Sequence, residues 1–314
     1  MKRRTAIRIL MVAGAVSCLC RLPGRVPRQE PQDFVIRSDV RLVLLDVAVK
    51  DRRGGFVAGL TKDNFTILEN GAPQRITVFA NEDVPVTVGI LVDESRSMLP
   101  KHNDVLSAAG AFIQTSNPRD EVFVLNFNDD VKRGLPGATL FSDNIDQLRA
   151  ALDRGAPRGM TAFNDAVVEG LRQLELGRRD KKALVAISDG GDNASRHTRA
   201  EMFDMVDRSI ATIYTVGLLE PTNPDWNPGI LKSLANVSGG EAFFLEGPSG
   251  MTAVCEDIAK EIRTRYTIGY QPPLNNHGSL RRIQVRVSAP GRSSLSVHTR
   301  TRYRYDELQK TGTK

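Results

Sequence analysis

The 314-residue chain is short of cysteine (three), histidine (four) and tryptophan (one), and only 6% of it is aromatic. Each scarcity excludes something. Three cysteines do not build a disulfide-stapled scaffold, and Cys18 and Cys20 sit in a leader-like stretch, leaving Cys255 alone. Cys255 falls on an apolar helical pattern and is expected to be a buried, inert thiol. His102, His197, His277 and His298 form no metal-ligand spacing. The phosphate loop, the dinucleotide fingerprint, the hydrolase elbow and the zinc-protease HExxH pattern are all missing. Surplus positive charge is missing from the body too. The seven basic residues and one acid of residues 1–30 carry the entire net charge of +6. Residues 31–254 carry −7 and the stretch from Cys255 onward +7. An acidic body suits a bound cation better than a polyanion, so no nucleic-acid partner is expected.

What is present begins with Lys2, Arg3, Arg4 and Arg8, followed by the apolar run Ile9 to Val16 and by small residues. That order is the order of a secretory signal peptide. The run is too short for a comfortable membrane span, so no stable transmembrane segment is expected after signal removal. Residues 1–20 are expected to be the signal and 21–33, rich in Pro, Arg and Gln, a linker. The protein is expected to be exported, periplasmic or secreted. Ala15-Val16-Ser17-Cys18 loosely matches a lipoprotein box but lacks its usual leucine.

Residues 34–84 read as a β segment, with strands over 40–49 and 65–69, the Asn70-Gly71 turn signal and a hairpin partner over 74–79. From Val86 the rhythm changes. Val86 to Val92 and Lys182 to Ser188 are apolar runs typical of strands buried on both faces, and Glu121 to Phe127 and Ala211 to Val216 read as further strands. Helical patterns near 101–116, 143–153, 164–176, 198–209, 227–237 and 250–264 alternate with them. Residues 85–264 are therefore expected to be a doubly wound α/β core around a mainly parallel sheet. Sites on such sheets lie at the carboxyl ends of the strands. Residues 265–306 return to alternating β pattern, with 307–314 a tail; the two β flanks are expected to pair into one accessory β domain.

Three sets of oxygen-bearing side chains fall at the expected strand ends. Asp93-Glu94-Ser95-Arg96-Ser97 follows the first apolar strand; Thr161 precedes a helix; Asp189 ends the Lys182–Ser188 strand. Carboxylates and hydroxyls without sulfur or imidazole suit a hard divalent cation, Mg²⁺, Ca²⁺ or Mn²⁺. On the bland reading, Ser95 and Ser97 cap a helix and Asp189-Gly190-Gly191-Asp192 is a turn.

Asp93-x-Ser95-x-Ser97, then Thr161, then Asp189-Gly190 at the end of an apolar strand, resembles the metal-ion-dependent adhesion site of von Willebrand factor A domains. The likeness spans roughly residues 85–264. The flanks, with Leu60 to Phe65, Glu69-Asn70-Gly71 and Tyr266 to Tyr270, are similar to those of an exported acidobacterial group. The resemblance implies that Ser95 and Ser97 bind the ion through their hydroxyls, with Thr161 a further ligand and Asp93 and Asp189 acting directly or through water. It implies a vacant position filled by an acidic side chain of a protein ligand, and a binding protein rather than an enzyme. Asp165 and Asp192 are candidates for the rim or for orienting Thr161. Arg96 stands where the family often has glycine; it either points to solvent or helps to clamp a carboxylate.

Two other readings stay open on the sequence: a phosphatase-like metal-dependent hydrolase using Asp93 and Asp189, and a structural domain with no metal. The arginines after residue 280 read as a solvated strand face. Trp226 is either packed or an exposed contact.

Overall fold

A computed structural model describes residues 42–218, 226–246, 250–273, 279–292 and 294–305. All of them lie within the unit Val40–Lys314. The expected signal peptide, linker, lipidation cysteine and C-terminal tail lie outside the described residues.

The N-terminal flank forms β1 (Val43–Lys50), β2 (Phe65–Glu69), β3 (Ala72–Gln74) and β4 (Ile76–Ala80). Asn70 and Gly71 have φ of 48° and 85°, the positive pair that a type I′ hairpin turn needs. The core follows: β5 (Val86–Asp93), a 3₁₀ turn (Arg96–Lys101), α1 (His102–Thr115), β6 (Glu121–Phe127) and β7 (Val131–Arg133). Next come α2 (Ile145–Leu152), α3 (Phe163–Glu175), β8 (Lys181–Ser188), α4 (Arg199–Arg208) and β9 (Thr212–Leu218). The core closes with α5 (Pro228–Ser238), β10 (Ala242–Leu245) and α6 (Met251–Thr264). The C-terminal flank supplies β11 (Tyr266–Tyr270), β12 (Leu280–Val287), β13 (Ser296–His298) and β14 (Arg302–Arg304).

The core sheet has the order β10-β9-β8-β5-β6-β7, parallel except for β7 at its edge. Every residue of β5 is buried, which is why its sequence shows no polar alternation. The chain lays β6 on one side of β5 and β8 on the other, so the direction of winding reverses there. That reversal opens a crevice at the carboxyl ends of β5 and β8. The helices turn apolar stripes to the sheet; Val105, Phe112, Val167, Leu171 and Ile258 are all at or below 1% exposure. α4 starts on the Thr198–Glu201 capping box, and α5 on the Asn227 cap followed by Pro228.

The two flanks interleave as an accessory β layer. One antiparallel sheet runs β13-β1-β11-β4 and a second β14-β12-β2-β3, so each joins strands from both ends of the chain. They share a second core, including Leu45, Val47, Ile67, Tyr266 and Ile268. The expected hairpin partner over 74–79 is divided. Ala72–Gln74 pairs with β2, whereas β4 pairs with β11 in the other sheet. Pro73 has no N–H with which to prolong the first ladder.

The late arginines correct the reading of a solvated face. Arg282 and Arg286 are exposed, but Arg281 is 1% exposed and bonds the buried Glu69 at 2.7 Å. Glu69 also accepts hydrogen bonds from Tyr270 (2.6 Å) and Tyr303 (2.9 Å). A buried charge requires such partners. Arg302 and Arg304 pair with Asp207 and Asp204 of α4. Arg265, between α6 and β11, bonds Glu261 (2.6 Å), the Tyr214 hydroxyl (2.8 Å) and the Gly239 carbonyl (2.7 Å). Lys50 of β1 completes the seam with ion pairs to Glu241 and Glu261.

Candidate metal centre

The centre forms where β5 and β8 end. Asp93 is the last residue of β5 and Ser188 the last of β8. Their side chains meet: the Ser188 hydroxyl donates to Asp93 Oδ2 at 2.6 Å. Asp93 Oδ1 accepts the Ser95 N–H at 2.8 Å, turning the chain sharply after the strand. Ser95 and Ser97 then lie with their hydroxyls 3.0 Å apart, and Ser97 donates to Asp189 Oδ2 at 2.7 Å. Asp189 Oδ1 accepts the Gly191 N–H at 2.9 Å. Between them Gly190 sits at φ 81°, and a β-carbon there would come within 2.5 Å of the Asn227 carbonyl oxygen. Only glycine suits that bend.

Backbone bonds tie the remaining loop to this cluster. Arg96 N–H reaches the Gly159 carbonyl (3.3 Å), and Arg158 N–H reaches the Glu94 carbonyl (2.8 Å). The Thr161 carbonyl accepts from Asn193 (2.9 Å) and Ala194 (3.0 Å), while its N–H donates to Asn193 Oδ1 at 2.8 Å. Thr161 is 4% exposed, and among the described residues its hydroxyl has no hydrogen-bond partner. Of the sequence candidates, Asp93, Ser95, Ser97 and Asp189 are joined by side-chain and backbone hydrogen bonds, and Thr161 is held through its backbone to Asn193 and Ala194 in the loop after Asp189.

Asp165 and Asp192 serve the neighbouring loop. Asp165 accepts from the N–H groups of Arg196 (2.9 Å) and His197 (2.8 Å) and contacts His197 Nδ1 at 2.6 Å. Asp192 accepts from the Asn164 side-chain amide at 2.6 Å and from the Ser195 hydroxyl. Both carboxylates thus pin residues 192–198 to the start of α3. Arg96 is exposed. Trp226 is half-buried, next to Asn227, whose N–H bonds the Asp189 carbonyl at 3.2 Å.

Three residues carry no role in the sequence reading. Ser188 precedes Asp189 and ends an apolar strand, a position that marks it in hindsight. Asn193 supports Thr161 and sits in the polar turn after Asp189. Glu94 is 4% exposed and one of its oxygens has no partner. Burial raises its carboxyl to about 7 against the opposing pull of Lys132 and Arg158. Nothing in the sequence separates Glu94 from an ordinary surface acid.

Asp93 and Asp189 are each 1% exposed. Burial, and then the charge of Asp189, push the Asp93 carboxyl up to about 7 even though Ser188 and Ser95 bond it. Asp93, Asp189, Ser95 and Ser97 thus bring two buried carboxylates and two hydroxyls together, all hard oxygen. Such a set fits Mg²⁺, Ca²⁺ or Mn²⁺ and is a poor match for a soft metal.

The family profile for the von Willebrand factor type A domain matches residues 88–191, the stretch from within β5 to the turn after Asp189. The chain carries a von Willebrand factor type A domain. A von Willebrand factor type A protein from Catenulispora acidiphila superposes with a TM-score of 0.50 at 15% identity, over 87% of this chain and 76% of that one. BatB of Bacteroides thetaiotaomicron gives 0.46 at 18% identity, over 56% and 98%. Proximal thread matrix protein 1 of the mussel byssus, in a form with a zinc-occupied MIDAS motif, gives 0.47 at 16% identity, over 57% and 48%. At these identities the likeness is one of fold. No curated protein matches the chain. The A domain matched by the profile holds Asp93, Ser95, Ser97, Thr161 and Asp189, all between 88 and 191. Among the described residues, no helix is long and apolar enough to cross a membrane.

Proposed function

We propose that the protein is an exported binding protein that holds a divalent cation at the end of β5 and recognises a protein ligand through it. The observation that carries this reading is the hydrogen-bonded run Ser95–Ser97–Asp189 with Asp93 beneath it. Ser95, Ser97 and Thr161 would hold the ion through hydroxyls, with Asp93 and Asp189 balancing its charge; Mg²⁺ is the first candidate, Ca²⁺ and Mn²⁺ the alternatives. A bound cation with mostly neutral ligands supplies the positive charge that an acidic side chain of the partner seeks. Asp93 is fixed by Ser188 and Ser95, so the site needs little rearrangement to receive its ion. The von Willebrand factor A profile supports an interaction module rather than an enzyme. Export rests on the N-terminal order of charges, apolar residues and small residues. The two separate hydrophobic cores support boundaries at 84/85 and 264/265.

The test is capture of partners from the parent cell envelope on the immobilised full chain, with Mg²⁺ and with chelator, alongside calorimetric titration of Mg²⁺. Chelator-sensitive capture by the wild type, lost in Ser97→Ala, is the expected result. Equal recovery in both buffers, or no heat of Mg²⁺ binding, overturns the reading.

A further inference from the structure

We infer that Leu99 and Met160, with Arg96 beside them, form a mixed apolar and basic rim that selects partner loops whose acidic residue is flanked by a bulky apolar side chain. The inference rests on the cation-dependent reading above and names the partner class that the same site takes.

Exposed large apolar residues are few among the described residues, and two of them lie on the loops that border the metal centre. Leu99 is 61% exposed and Met160 50% exposed. Single exposed apolar residues are ordinary on a surface; two on adjoining loops at one site are a different matter. Arg96 N–H bonds the Gly159 carbonyl, which joins the loop that carries Met160 to the turn that carries Leu99. That turn is a 3₁₀ helix over Arg96–Lys101. In such a helix residues three apart eclipse one another, so Arg96 and Leu99 share one face. Met98 goes the other way and is fully buried. Ser97, the hydroxyl that reaches Asp189, stands between them in sequence.

The loops are held from beneath. Met160 N–H donates to Asp129 Oδ1 at 3.1 Å, and Gly159 at φ 73° leaves no room for a β-carbon against the same carboxylate. Pro100 stiffens the other loop. The backbone that carries the rim is therefore held, which lowers the ordering cost of binding. The charges agree. Asp129, Asp165 and Asp192 are turned to backbone or side-chain donors of the protein itself. The Arg96 guanidinium is exposed and, among the described residues, has no ion-pair partner. An acidic loop meets a cationic edge, and its apolar neighbour meets Leu99 and Met160.

The experiment uses the full chain and labelled peptides in which one central glutamate has leucine, phenylalanine, serine or lysine beside it, measured by fluorescence polarisation in Mg²⁺ and in chelator. Peptides with an apolar neighbour are expected to bind about tenfold more tightly than the serine peptide, the ratio that burying one apolar side chain supplies. In the Leu99→Ser, Met160→Ser double variant the ratio falls to about one, while the calorimetric Mg²⁺ affinity stays at its wild-type value. Mg²⁺-dependent binding that is indifferent to the neighbour, or no peptide binding by the Mg²⁺-loaded protein, overturns the rim and leaves the cation site standing. Absence of Mg²⁺ binding, or peptide binding that survives chelator, sinks the underlying reading and the rim with it. Self-association that the double variant abolishes would make the patch a contact between copies, and would also overturn the proposal.

Discussion

Ser97 donates its hydroxyl to Asp189, 92 positions further along the chain, at 2.7 Å. The bond joins the loops that follow β5 and β8, and it sits beside a buried carboxylate, Asp93, whose loss of water and then repulsion from Asp189 outweigh its own hydrogen bonds.

Replacing Asp93 with asparagine removes that repulsion and the charge a cation needs. In chelator, Asp93→Asn is expected to melt no lower than the wild type. In excess Mg²⁺ the wild type gains stability and the variant does not. At a hundred times the dissociation constant the gain is about 2.7 kcal/mol. Thermal melts of both proteins in both buffers check it; a lower melting temperature for the variant than for the wild type in chelator would show that the carboxylate is structural.

The pH dependence follows from the same residue. A carboxyl whose folded pKa lies above its unfolded value binds its proton more tightly when folded. The stability this brings is full below about pH 4 and is lost as pH rises through about 7. Cation-free protein is therefore expected to lose stability from this group between those values, and Mg²⁺ to offset the loss at the upper end. Denaturant midpoints across that range, with and without chelator, read the effect, and Asp93→Asn flattens it.

The accessory layer depends on one buried pair. Arg281→Met strands Glu69 at 2% exposure with its two tyrosine donors but no cation. A loss of about 3–5 kcal/mol is expected, measured by urea unfolding. The double change Arg281→Met, Glu69→Leu should recover part of it, since no lone charge remains buried.

Gly190→Ala places a β-carbon against the Asn227 carbonyl at a left-handed φ of 81°. A destabilisation of about 1–3 kcal/mol is expected, with Mg²⁺ affinity reduced more than in an exposed glycine control such as Gly137→Ala, where no neighbour lies within 4 Å. Calorimetry on the two variants separates strain alone from displacement of Asp189.

Cys255 should be silent. It is fully buried in α6, and burial pushes its thiol up to about 12. A thiol reagent at pH 8, read at Cys255 by peptide mass, should label that residue on the timescale of unfolding in the folded chain and within minutes in the urea-unfolded chain.

The sequence alone was enough for the core. Val86 to Val92 and Lys182 to Ser188 are continuous apolar runs because parallel strands covered on both faces have no wet side to record. The ends of those runs placed Asp93 and Asp189, and the Asn70-Gly71 dipeptide placed its hairpin turn. What the sequence did not hold is anything decided by burial across long separations. Arg281 shares the dry face of β12 with Ile283 and Val285, opposite Arg282 and Arg286, but only the meeting of β12 with β2 supplies the Glu69 that lets a charge sit there. Glu94 lies one residue beyond Asp93 and has the formula of a surface acid, yet the packing of other loops over it removes its water. Asp165 and Asp192 carry the chemistry of metal ligands, but local backbone N–H groups and neighbouring side chains claim them first. Periodicity reports which face of a strand is dry. It does not report which distant charge will be waiting there, and that is settled only when the sheets close.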